Sequence, residues 1–138
     1  MNIFKQISGD LMPFTKVSLA KGNDKNFLRE FKEEILNSIL EVLELPSDDK
    51  NILIMEYEKE LFEMKDPYKY LIEITMFSGR SNKTKKLLFS TIVERLNSKL
   101  NIEKESIFIL INEQSRDNWG IRGGKSAKDI DLEFKVNI

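Results

Sequence analysis

A chain of 138 residues, 41% hydrophobic and 33% charged, has the size and composition of one globular domain with its own core. Its 22 Lys and Arg nearly balance 23 Asp and Glu, so a net charge of −1 gives no bulk attraction to nucleic acid or a membrane surface. It holds neither Cys nor His, which excludes disulfides, thiol nucleophiles, Ser-His-Asp hydrolysis and His-based zinc sites, and leaves open a carboxylate-only Mg²⁺ or Ca²⁺ site.

No apolar run approaches the roughly 20 residues of a membrane-spanning helix. The opening MNIFKQISGDL lacks the long apolar segment of a secretion signal, so a cytoplasmic location is expected. FTKVSL (Phe14–Leu19) alternates apolar and polar residues with a slip at Thr15-Lys16. It predicts a strand with Phe14, Val17 and Leu19 as its apolar members. Gly22-Asn23-Asp24 reads as a turn, with Asp24 as a helix N-cap. Phe27, Leu28, Phe31, Ile35, Ile39, Val42 and Leu43 recur at helical spacing and predict a helix over about 25–44. Pro46 closes it, because a residue before proline is driven out of the α region. NILIMEY (Asn51–Tyr57) reads as the next strand.

The order then repeats. KYLIEITMF (Lys69–Phe77) predicts a strand, SGRS a turn with Ser81 as N-cap, and Leu87, Leu88, Ile92, Leu96 and Leu100 a helical stripe. NKTKK (Asn82–Lys86) opens that helix and is expected to face solvent, and SIFILINE (Ser106–Glu113) is a strand. Setting Gly22 on Gly79 maps Val17 onto Ile74, Leu19 onto Met76, Phe31 onto Leu88, Ile35 onto Ile92, Ile39 onto Leu96, Leu43 onto Leu100 and Leu45 onto Ile102. Apolar positions stay in register from strand through helix, so the chain reads as a duplicated β-α-β unit, about 13–57 and 70–113, with a tail 114–138. The expected fold is a two-layer α+β arrangement: one four-stranded mixed sheet with both helices on one face. The uncovered sheet face calls for oligomerisation. Ile130, Leu132, Phe134 and Val136 alternate as an extra C-terminal strand suited to pairing with a neighbouring subunit.

From Met12-Pro13 onward the chain resembles the tautomerase superfamily, in its long-chain branch around malonate semialdehyde decarboxylase. Three segments carry the resemblance: MPFTKVSLAKG, FSGRSNKTKKLLFSTIVERLNSKLNI, and INEQSRDNWGIRGGKSAKDIDLEFKVNI, in which NWGIRGG is the most distinctive run. It covers residues 12–138, a single domain, and leaves 1–11 as an extension without counterpart. The resemblance implies a homotrimer of β-α-β-β-α-β subunits, no metal or organic cofactor, and an N-terminal proline amine as general base and acid. A secondary amine at a desolvated chain end near cations loses proton affinity and can act near neutral pH. That chemistry needs a free nitrogen on Pro13. The expectation is therefore that translation starts at Met12 and that 1–11 is a start-site misassignment. Gly9-Asp10 is encodable by GGA-GAY, a purine-rich stretch ahead of the Met12 codon.

The resemblance also places Arg80, in the strand-to-helix turn, as the group that holds a substrate carboxylate, a task suited to a bidentate guanidinium. The decarboxylase has two arginines flanking one residue there, whereas this chain has Ser78 and Arg80. Asp49 matches an acidic residue that assists the proline; read without the resemblance it is a turn carboxylate in SDDK. Asn23 stands where many family members carry arginine. Trp119, the only tryptophan, is either a wall of the substrate pocket or an anchor of the trimer core. Arg122, between Gly120 and Gly123-Gly124, either helps to hold the carboxylate or forms an intersubunit ion pair. Asn118 and Glu113 are weaker candidates.

The expected function is keto-enol proton transfer on a small 2-oxo acid or its enol, an isomerase reaction without nucleic-acid or membrane partners. Decarboxylation or hydration of a 3-oxo or unsaturated acid is the alternative within enzymes. An inactive, ligand-binding oligomer is the alternative if Pro13 is not N-terminal.

Overall fold

The computed structural model describes residues 13–130 and residue 138. The extension 1–11 and the expected last strand through Leu132, Phe134 and Val136 lie outside the described residues.

Two β-α-β units follow each other. The first is β1 (Phe14–Ala20), α1 (Lys25–Val42) and β2 (Ile52–Tyr57). The second is β3 (Tyr70–Phe77), α2 (Asn82–Leu100) and β4 (Ile107–Gln114). Each unit pairs its strands in parallel, and β1 meets β3 antiparallel, giving one four-stranded mixed sheet in the order β2-β1-β3-β4. A small antiparallel hairpin, β5 (Gly120–Ile121) and β6 (Lys125–Ser126), follows. Two-residue strands are too short to show alternation, so this hairpin has no signal in the sequence pattern.

The helices start where their caps dictate. The Asp24 carboxylate accepts from the Phe27 backbone N–H, and the Ser81 hydroxyl accepts from that of Thr84, each satisfying an otherwise orphaned donor. Helix α1 stops two residues short of the expected end. Glu44 takes a left-handed conformation (φ 54°), which turns the chain out before Pro46. Helix α2 stops at Asn101, also left-handed (φ 58°), whose N–H returns to the Asn97 carbonyl.

The core lies between the sheet and both helices. Val17, Leu19, Ile72, Ile74 and Met76 of the central strands pack with Phe31, Ile35 and Ile39 of α1 and Leu88, Ile92 and Leu96 of α2. Of the seven repeat-related pairs, five are buried at both positions, while Leu43–Leu100 and Leu45–Ile102 each have one member, Leu100 and Leu45, only partly buried against the core. Two details differ from the expectation. Strand β1 has no slip: Thr15, Val17 and Leu19 form its buried face, and Phe14 points to the other side. The β1–β3 register decides this, since it places Thr15 opposite buried Ile74. Leu87 is exposed, because helix α2 turns only Leu88, Ile92 and Leu96 fully onto the sheet. The opposite sheet face keeps Leu53, Met55, Phe108 and Leu110 exposed, on the edge strands β2 and β4.

Candidate active site

One end of the sheet gathers the start of β1, the loop before β2, and the ends of β3 and β4. Pro13 sits there, buried, immediately ahead of β1. The Thr15 N–H donates to the Asn51 carbonyl (2.9 Å), which ties the head of β1 to the loop leading into β2. The Asn51 side-chain amide donates to the Pro13 carbonyl (3.3 Å) and to Asp49 Oδ1 (2.9 Å). A single side chain therefore touches both the proline and the acid.

Asp49 is only 3% exposed, and its Oδ2 has no hydrogen-bond partner among the described residues. Burial pushes its carboxyl up to about 7. The Asn51 hydrogen bond opposes that shift, the neighbouring Asp48 adds to it, and the Arg80 charge opposes it. A carboxyl held at this level exchanges its proton near neutral pH.

Arg80 is 4% exposed, in the turn between β3 and α2, and donates to the Phe77 carbonyl (3.2 Å). Burial lowers its guanidinium to about 10, while Asp49 and Glu113 favour its charged form. It stays a cation at neutral pH, beside a carboxyl whose proton affinity burial has raised. Glu113 in turn pairs with Lys85, which draws that lysine of NKTKK out of the solvated role expected for it. The corner thus sets the Arg80 guanidinium against the Asp49 and Glu113 carboxyl groups in a desolvated setting, where charges act on one another more strongly than in water. The backbone carbonyl of Ile138 reaches the same corner and accepts from the Ser81 N–H (2.7 Å).

The other predicted residues are placed differently. Trp119 is the centre of a second small core. It meets Phe77 edge-on (centroids 4.9 Å apart) and Phe14 edge-on (6.1 Å), with Ala127 buried beside it. Phe14 follows Pro13 directly, so the tryptophan braces the strand that starts the site. Its indole N–H has no partner among the described residues. Asn118 is exposed, and its amide donates to Gln114 (2.8 Å). Arg122 lies at the tip of the β5–β6 hairpin, in a turn where Arg122, Gly123 and Gly124 all have positive φ. Asn23 donates to the Ala20 carbonyl and to Glu56 at the opposite end of β1. That opposite end also bears an open cavity of about 400 Å³, lined by Leu19, Asn23, Phe62, Tyr68 and Tyr70 among others and remote from Pro13 and Asp49. Two further residues shape the corner. Asn51 stands two positions after Asp49, a spacing that fits a local side-chain bridge. Arg116 donates to the Ala127 and Ile130 carbonyls and fastens the segment that carries Trp119.

The family profile described as "Tautomerase enzyme" matches residues 49–122, from the acid through the hairpin tip. The probable tautomerase YusQ of Bacillus subtilis (strain 168) is 28% identical over 124 residues, covering 83% of this chain and 97% of its own. The malonate semialdehyde decarboxylase structures solved as wild type, as a variant replacing the first-position proline by alanine, and in inactivated form superpose with a TM-score of 0.74. Identity is 14%, over 82% of this chain and 93% of that one. A fused 4-OT, a wild-type asymmetric trimer, gives a TM-score of 0.75 at 18% identity, over 83% of this chain and 96% of that one.

Proposed function

Because the chain belongs to the tautomerase enzyme family, we propose that it is a cofactor-independent tautomerase acting on a small 2-oxo acid or its enol. One observation supports this above the others: a buried cation and a near-neutral buried carboxyl stand at the head of the strand that Pro13 begins. In this reading Pro13 is the N-terminus of the active protein, and residues 1–12 are absent from it. The neutral proline nitrogen takes the proton of the enol hydroxyl. The resulting secondary ammonium returns it to carbon, which regenerates the amine. Arg80 holds the substrate carboxylate, with Arg122 as a second cation, and stabilises the enolate charge that develops. Asp49 adjusts the protonation of the proline, and Trp119 keeps Phe14, and with it the head of β1, in place.

The active form is proposed to be a homotrimer, supported by the exposed apolar face of Leu53, Met55, Phe108 and Leu110 and by the trimeric neighbour named above.

A second reading, hydration or decarboxylation of a 3-oxo or unsaturated acid, is favoured by the same Asp49 carboxyl, since a base poised near 7 can activate water. Ser78 in place of a second arginine weighs against it. A panel of three substrates separates the two: phenylenolpyruvate, a 3-oxo acid and an unsaturated acid. Turnover of the enol alone supports the tautomerase; turnover confined to the other two overturns it.

A further inference from the structure

Resting on that reading of Pro13 and Asp49, we propose that Asn51 is the positioning residue of the site, its amide joining the proline backbone to the acid. The geometry carries the claim. A side-chain amide has two N–H donors, and Asn51 directs its nitrogen at the Pro13 carbonyl (3.3 Å) and at Asp49 Oδ1 (2.9 Å). Its own backbone carbonyl accepts from Thr15 N–H, so the residue is fixed at the edge where β1 and β2 begin to pair. The backbone pairing thus holds the side chain within reach of both Pro13 and Asp49.

The bridge has an electrical as well as a geometric side. An amide donor favours the ionised carboxyl, whereas burial and Asp48 favour the protonated one; Arg80 acts with Asn51. Loss of the bridge leaves Asp49 holding its proton to higher pH. A change of charge on Asp49 also alters the polarisation of the amide, and through it the Pro13 carbonyl.

The test is a ¹³C NMR titration of the full 138-residue chain, following the Asp49 carboxyl, assigned with Asp49→Asn, and the Pro13 carbonyl. In the parent chain both resonances are expected to move with one midpoint near neutral pH. In Asn51→Ala the Asp49 midpoint is expected to rise by about one unit, the scale of one hydrogen bond to a charged group. The Pro13 carbonyl should then cease to follow it. Asn51→Ser, too short to reach both acceptors, is read in the same way should the alanine variant not fold. An unchanged Asp49 midpoint, or a Pro13 carbonyl that still follows Asp49 in the variant, overturns the proposal. The titration needs no turnover. Coupling in the full chain, together with no enol conversion by the chain that begins at Pro13, keeps the bridge and loses the proposed reaction.

Discussion

Asp49 is a carboxyl whose surroundings work against its charge, and this fixes the sign of its effect on stability. Its proton affinity in the folded chain, near 7, lies above its ordinary value of 3.8. Between those limits the folded chain holds a proton that the unfolded chain has released, so stability falls as pH rises through the window and levels off above it. Asp49→Asn is expected to flatten the pH dependence of Tm between about 4 and 7; an unchanged slope would mean that the group titrates normally. Arg80 belongs to the same scale. Arg80→Ala is expected to lower kcat/KM about 10- to 100-fold, the loss of charged hydrogen bonds to a carboxylate, with Arg80→Lys recovering only part. An equal rate in Arg80→Ala would remove it from the site. Of this corner, Pro13, Asp49 and Arg80 were reached through family resemblance, and chemistry alone left Asp49 a turn carboxylate. Asn51 was not legible, because its reach to Pro13 depends on the β1–β2 pairing, which joins residues 38 positions apart.

At the scale of elements, the duplicated unit was legible because periodicity survives where residue identity has faded. Phe31 and Leu88, or Val17 and Ile74, share only apolar character, and burial demands no more. The failures have local causes. Phe14 is as apolar as Val17, but it serves the small core around Trp119 and Phe77, on the other side of β1 from the main core. Trp119 itself lies on no periodic face, and its partners come from β1 and β3, so nothing near it in sequence announces its role. Trp119→Ala is expected to cost about 3–5 kcal/mol of stability, as a large buried aromatic does. Asn118→Ala, at an exposed neighbouring position, should stay within about 0.5 kcal/mol. Chemical denaturation of the two variants checks this, and a mild Trp119→Ala would deny it the anchoring role.

For the whole molecule, the sheet has one face on the helices and one without cover. The outer positions of NILIMEY and SIFILINE place Leu53, Met55, Phe108 and Leu110 there, with Leu53 63% exposed. Apolar patches of this kind mark contact surfaces. Leu53→Lys combined with Leu110→Lys is expected to convert the proposed trimer to monomer in light scattering, whereas an unchanged mass would place the contact elsewhere. Among the described residues no helix is long and apolar enough to cross a membrane. The alternation made the bare face legible from one chain, while its partner is a property of the assembly.

The central claim is that a free amine on Pro13 performs the proton transfer, and ketonisation of phenylenolpyruvate tests it most directly. Three folded proteins are compared: the chain beginning at Pro13, the same chain with Pro13→Ala, and the full chain in which Met12 acylates the proline nitrogen. The account predicts a rate for the first that falls at least about 100-fold in the full chain, the range expected for loss of a general base, and that also falls in Pro13→Ala, where a primary amine replaces the secondary one. A rate retained by the chain in which the nitrogen is an amide would contradict it.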